Sequence, residues 1–167
     1  MAITISKIDR HVGKNVTLSG WLHRRRSSGK IHFLTIRDGT GIIQAVMSNS
    51  TVAEKTINDT DHLGQATSVI VEGLVREDRR APSGYELDVS KLDVVGKSHN
   101  YPITPKEHGV DYLLDRRHLW IRSQRQVSIL RIRHEAIAAI RDFFNSRGFI
   151  LADTTIFTHA ACEGTTT

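Results

Sequence analysis

Apolar and polar residues alternate over most of the first hundred positions, and the alternation divides the chain into strands. Residues 15–22 set Val16, Leu18 and Leu22 against Thr17 and Ser19 and predict a first full strand. Residues 21–47 carry an arginine triplet (Arg24, Arg25, Arg26), a second strand, a tight turn at Asp38-Gly39-Thr40-Gly41 and a third strand. Leu34 and Ile36 point to one side of the second strand, and Ile43 and Ala45 answer them on the third. Pairing Arg37 with Ile42 across the turn sets Thr35 opposite Gln44 and Phe33 opposite Val46. In that register Phe33 and Gln44 are diagonal neighbours on the face away from the core. A slip of one residue would turn Phe33 inward.

Around this hairpin the pattern is equally regular. Ile3, Ile5 and Ile8 suggest a short element leading to His11-Val12-Gly13-Lys14. Residues 51–65 break the alternation, and Val52, Ala53, Ile57 and Leu63 predict a short helix ending at Gly64. Residues 68–75 form the fourth strand, in which Gly73 permits a bend or bulge. Residues 76–84 read as a charged loop turning at Pro82-Ser83-Gly84. Residues 85–95 form the fifth strand, with Leu87 and Val89 on one face and Glu86, Asp88 and Ser90 on the other. Three strands, a short helix and two strands is the order of an all-β OB-fold barrel, which offers strands two and three to oligonucleotides. An SH3-like barrel is the competing topology, but it rarely places a helix between its third and fourth strands.

From residue 97 the pattern changes. Residues 97–105 hold two of the three prolines and little apolar character, as a linker does. Residues 111–120 show no assignable period. Ser123 is a suitable N-cap for a long helix with Val127, Leu130, Ile137, Ile140 and Phe144 in one stripe, widened by Ala136 and Phe143. Arg147-Gly148 ends that helix, and residues 149–152 begin a further strand. The organisation predicted is a barrel domain over 1–100, a linker or hinge over 101–122, and the opening helix and strand of a second, α+β core over 123–167. The helical stripe has nothing to pack on in a five-strand barrel, so it should meet another domain or subunit.

Composition narrows the function. The net charge is +5 and arginine outnumbers lysine, which leans toward a phosphate-bearing partner. No apolar run approaches the ~20 residues that span a bilayer, and the first ten residues lack a signal-peptide core. Cys162 stands alone and the nine histidines lack metal-ligand spacing, so no disulfide framework and no metal site is assigned. A cytoplasmic protein is the expectation. An aromatic and an amide on one sheet face beside three arginines can stack a base, read its edge and hold its phosphates. The plainer reading makes Phe33 a packing residue and the arginines a solvated face.

Two blocks of the chain resemble a known family. GWLHRRRSSGKIHFLTIRDGTGIIQAV resembles the anticodon-binding OB domain of the class II aminoacyl-tRNA synthetases for aspartate, asparagine and lysine. DYLLDRRHLWIRSQRQVSILRIRHEAIAAIRDFFNSRGFILADTTIFTHAACEGTTT resembles that family's hinge, its motif 1 helix and strand, and the loop beyond. ACEGTTT and DRRHLWIRS are more similar to asparagine–tRNA ligases than to aspartate enzymes. The resemblance implies that Phe33 stacks on the central anticodon base, that Gln44 reads it as uridine, that Arg26 makes a basic contact to the loop, and that Glu86 lies near the first anticodon base. It also implies that Glu163 contacts the amino group of the amino acid, and that the 123–147 helix lies at a two-fold homodimer interface. Thr155 departs from the family, which has a proline there, and this puts the rigidity of that interface in doubt.

The resemblance further implies a ligase that activates asparagine with ATP and magnesium and passes it to the tRNA 3′ end. The family's ATP-binding segments lie beyond Thr167. The 167 residues alone are therefore expected to bind neither ATP nor magnesium, to hold no catalytic residue and to form no adenylate. An aspartate–tRNA ligase is the nearer alternative, separated by the downstream amino-acid pocket. A stand-alone OB module for single-stranded nucleic acid is the other, and it has no use for the 123–147 helix.

Overall fold

Strand β1 (Asn15–Ser28) is the longest and is shared between two neighbours. Its first half, from Asn15 to Trp21, pairs antiparallel with β4 (Ser68–Glu77), and its second half, from Trp21 to Ser28, with β2 (Ile31–Arg37). Trp21 pairs on both sides, and a bulge between Leu22 and Arg24 marks the bend. β2 pairs with β3 (Ile42–Ser48) in the register predicted from the turn, Arg37 opposite Ile42, Thr35 opposite Gln44 and Phe33 opposite Val46. β3 then runs parallel to β5 (Tyr85–Gly96), and β5 antiparallel to β4, which closes the barrel in the order β1-β2-β3-β5-β4. A closed five-strand barrel with this order is an OB-fold. Closure also leaves no long unpaired edge.

The computed structural model describes residues 3–48, 52, 56, 57, 60, 62–154, 156 and 157. They belong to two units, Met1–Thr104 and Pro105–Thr167. In the first, alternation delivers one face of every strand to the core: Leu18, Leu22, Leu34, Ile36, Ile43, Ala45, Met47, Val69, Val71, Val75, Leu87 and Val89 are all buried. Each such branched or long side chain is worth ~1.5–3 kcal/mol when removed from water. A 3-10 helix (Ile5–His11) adds Ile5 and Ile8 to this core, and Val52, Ile57 and Leu63 also join it. Thr56, Ile57 and Thr60 are helical. Much of the remainder of the short helix predicted over 51–65 lies outside the described residues.

Asp38 ties the β2–β3 turn to the N-terminus. Its Oδ1 accepts from the Thr40 and Gly41 backbone N–H groups at 2.7 and 2.8 Å and from the Thr40 hydroxyl at 2.7 Å. Its Oδ2 accepts from the Ile5 N–H at 2.8 Å. Burial alone would raise the carboxyl's pKa, but these hydrogen bonds, led by that from Ile5, hold it below the ordinary carboxylate value. Gly73 sits beside the β4–β5 bulge, where a Cβ would collide with the Asp88 carbonyl oxygen. The bend expected at that glycine is therefore present and sterically obligatory.

Four expectations need correction, the last of them at residues 149–152. β1 does not stop at Leu22 but continues through the arginine triplet, because β2 supplies a ladder for residues whose side chains all remain exposed. β4 likewise extends past Val75, so Arg76 and Glu77 are strand residues and not the start of a loop. In the second unit, part of the stretch read as a linker folds into two short helices, α1 (Val110–Asp115) and α2 (Arg117–Trp120), too brief to show a period. Arg116 lies over the Tyr112 ring at 3.8 Å and donates to the Tyr112 carbonyl at 3.3 Å, which braces the junction between them.

The long helix α3 (Gln124–Asn145) begins as predicted. Ser123 caps it, its hydroxyl accepting from the Gln126 N–H at 3.4 Å. Gly148 takes a φ of +83° just beyond its end. No residue of α3 is buried, and Ile132, Ile140 and Phe143 are more than half exposed. Phe144 packs edge-on against Phe143 and Phe149 with ring centroids 5.3 and 5.5 Å apart. Residues 149–154 carry no assigned secondary structure, so the strand predicted over 149–152 is not formed; a strand needs a neighbour to complete its ladder.

Candidate nucleic-acid interface

The barrel's outer surface carries one row of side chains that crosses all five strands. Arg26 on β1 is the cross-strand partner of Phe33 on β2, and its guanidinium lies over the ring, 4.3 Å from the centroid. Cross-strand neighbours on one face are close enough for this contact by construction of the ladder. Phe33 is partly buried and faces outward, since Leu34 and Ile36 take the core side of β2. Gln44 follows diagonally on β3, opposite Thr35 on one side and Glu86 of β5 on the other. The Gln44 Nε2 stands 3.5 Å from Glu86 Oε2, at the outer limit of a hydrogen bond.

Beyond Glu86 the row reaches β4. Arg76 Nη2 donates to Glu86 Oε1 at 3.1 Å and lies 3.5 Å from Asp88 Oδ2. The Glu86 side chain is only 11% exposed, whereas that of Arg76 is 49% exposed. A carboxylate this covered is expensive without a partner, and Arg76 is that partner. Arg26, Phe33, Gln44 and Glu86, singled out by sequence, are thus brought together on one face. Arg76 and Asp88 were missed. The signal available was the opposite-charge pair across the β4–β5 hairpin, legible only with the register in hand.

The row is electrically asymmetric. Arg24, Arg25 and Arg26 lie on the exposed half of β1, followed by the two-residue turn Gly29-Lys30 in which Gly29 takes a φ of +59°. His23 at the β1 bulge adds no charge at neutral pH, because burial first, then Arg37 and Arg24, push its pKa down. Phosphates suit the arginine end, and the carboxylates of Glu86 and Asp88 suit base N–H donors at the other. Among the described residues no cluster of His, Cys, Asp or Glu is placed to hold a metal ion. No described helix is long and apolar enough to cross a membrane. Glu163 and Thr155 lie outside the described residues.

Residues 16–95 match the OB-fold nucleic acid binding domain, and residues 109–167 the class II tRNA synthetases (D, K and N). An asparagine–tRNA ligase of Thermus thermophilus is 52% identical over 167 residues, which is 99% of this chain and 38% of that protein. One from Chloroflexus aurantiacus is 50% identical over 163 residues, 98% of this chain and 37% of the relative. The crystal structure of asparaginyl-tRNA synthetase from Pyrococcus horikoshii, complexed with asparaginyl-adenylate, superposes with a TM-score of 0.89 at 36% identity, covering 99% of this chain and 39% of that one. The chain therefore spans well under half the length of these relatives. An OB-fold barrel followed by a segment that matches the class II tRNA synthetases (D, K and N) makes the chain similar, over nearly all of its length, to the asparagine–tRNA ligases of that group.

Proposed function

We propose that the barrel binds the anticodon loop of a tRNA whose central base is uridine, as the anticodon-binding part of an asparagine–tRNA ligase. The observation that carries this reading is the stacked Arg26–Phe33 pair beside Gln44 on one continuous sheet face. Phe33 offers a ring on which the central base stacks, and Gln44 offers a donor and an acceptor to its edge. Arg26 holds the ring covered until a base replaces it. The guanidinium then moves to a phosphate, exchanging a cation–π contact of ~0.5–1 kcal/mol for a stronger charge-assisted hydrogen bond. Glu86 receives N–H donors of the first anticodon base.

In the whole protein the activity would be attachment of asparagine to tRNA through an asparaginyl-adenylate, with ATP and magnesium, in the cytoplasm. The described residues offer no donor set that fits magnesium, and their share of the reaction is tRNA recognition. Glu163 would contact the amino group of asparagine, a role that rests on its match to the family loop. The exposed stripe of α3 supports a homodimer through residues 123–147. Residues 1–100, 101–122 and 123–167 would then serve as anticodon domain, hinge and start of the catalytic core. Relatives at about 50% identity favour asparagine over aspartate as the amino acid. The match over 109–167 weighs against a stand-alone single-strand binder.

The test is a titration of the 167-residue chain with an anticodon stem-loop carrying central uridine. Saturable binding that weakens as salt rises is expected, and Phe33→Ala should weaken it by ~1–3 kcal/mol. Binding indifferent to Phe33→Ala would refute the stacking role.

A further inference from the structure

A carboxamide read in isolation is a poor discriminator between pyrimidines. Uracil presents an N3–H donor beside a carbonyl acceptor, and cytosine presents an N3 acceptor beside an N4 amino donor. A glutamine amide satisfies either by rotating its terminal torsion by half a turn, because its oxygen and nitrogen exchange places at little steric cost. Selecting uridine over cytidine requires the amide to be held in one orientation.

The barrel contains such a holder. Glu86 is an acceptor-only group when ionised, so its Oε2, 3.5 Å from the Gln44 nitrogen, favours the NH2 end on that side and turns the carbonyl oxygen away. Glu86 can do this only if its own carboxylate is fixed. Its second oxygen takes the Arg76 hydrogen bond at 3.1 Å, and Arg76 is steadied in turn by Asp88 Oδ2 at 3.5 Å. The strand register imposes the chain of contacts, since Arg76 is the ladder partner of Glu86 and Glu86 that of Gln44. We propose that Arg76 is a positioning residue which, through Glu86, locks the Gln44 amide and so sets the preference for uridine over cytidine at the central anticodon position. The proposal rests on the anticodon-binding reading above, and it assigns Arg76 no direct contact with the base.

Two measurements on the 167-residue chain test it, one without RNA. In the free protein the side-chain NH2 resonances of Gln44, identified by their loss in Gln44→Ala, are expected to shift in Arg76→Ala and to stay near their original position in Arg76→Lys, which can still reach Glu86. With stem-loops, Arg76→Ala is expected to reduce the uridine-over-cytidine preference roughly tenfold, mainly by admitting cytidine. In a Gln44→Ala background the same change should leave the preference unaltered. A cation acting only on the RNA backbone would instead lower affinity for every loop equally in both backgrounds, and that result overturns the proposal. Unshifted Gln44 resonances in Arg76→Ala overturn it whatever the RNA does. A wild-type chain with no central-base preference, but with shifted resonances, would refute the anticodon reading while leaving the lock on the amide standing.

Discussion

Phe33 and Gln44 owe their shared face to one turn. Four residues, Asp38 to Gly41, separate the paired Arg37 and Ile42, and that spacing alone fixes which side of β2 meets which side of β3. Asp38 holds the turn with four accepted hydrogen bonds, so its charge should matter to stability. Asp38→Asn is expected to cost ~1–2 kcal/mol at neutral pH. The folded-state pKa of Asp38 is depressed. Its contribution is therefore complete above the unfolded value and is lost as pH falls through the folded one. Denaturant unfolding of the two proteins should show the gap narrowing below about pH 4. A gap unchanged at acid pH would mean the carboxylate's charge is not what holds the turn.

At the level of elements, strands with alternating apolar residues were legible and their extensions were not. β2 and β3 announce themselves because Leu34, Ile36, Ile43 and Ala45 face one core. The second half of β1 does not, because Arg24 to Ser28 expose every side chain and only the partner strand reveals the pairing. Arg76 was hidden for a related reason, as a strand end that reads as loop until β5 is laid beside it. Residues 149–152 show the converse: an apolar run predicts a strand, but a strand also needs a neighbour to bond. Gly73 was readable as a bend, and its cause is the Asp88 carbonyl. Gly73→Ala should destabilise the barrel by ~1–3 kcal/mol in thermal or urea unfolding. A neutral effect would show that β4 and β5 can separate there freely. The α3 stripe makes a further claim. Leu130, Ile137, Ile140, Phe143 and Phe144 leave too much apolar surface in water for an isolated helix face. Sedimentation over a wide concentration range should reveal self-association, weakened by Ile140→Asp. A monomer at all concentrations would contradict the proposed two-fold contact.

Across the whole molecule, each strand of the barrel supplies one member of a single row, from Arg26 through Phe33, Gln44 and Glu86 to Arg76. Sequence reasoning found four of the five, because alternation says which residues leave the core and the resemblance says which of those to prefer. It could not find the fifth, since an ion pair is a property of register. It could not supply the order of the row either, which arises only when β3 and β5 pair in parallel to close the barrel. Anticodon reading by this row is tested most directly by titrating the 167-residue chain and its Gln44→Ala variant against four stem-loops differing only at the central anticodon base. The wild type is expected to bind the uridine loop most tightly. In the variant, affinity should fall less than in Phe33→Ala, and the differences among the four loops should largely disappear. Equal affinity for all four loops, unchanged by Gln44→Ala, would contradict it.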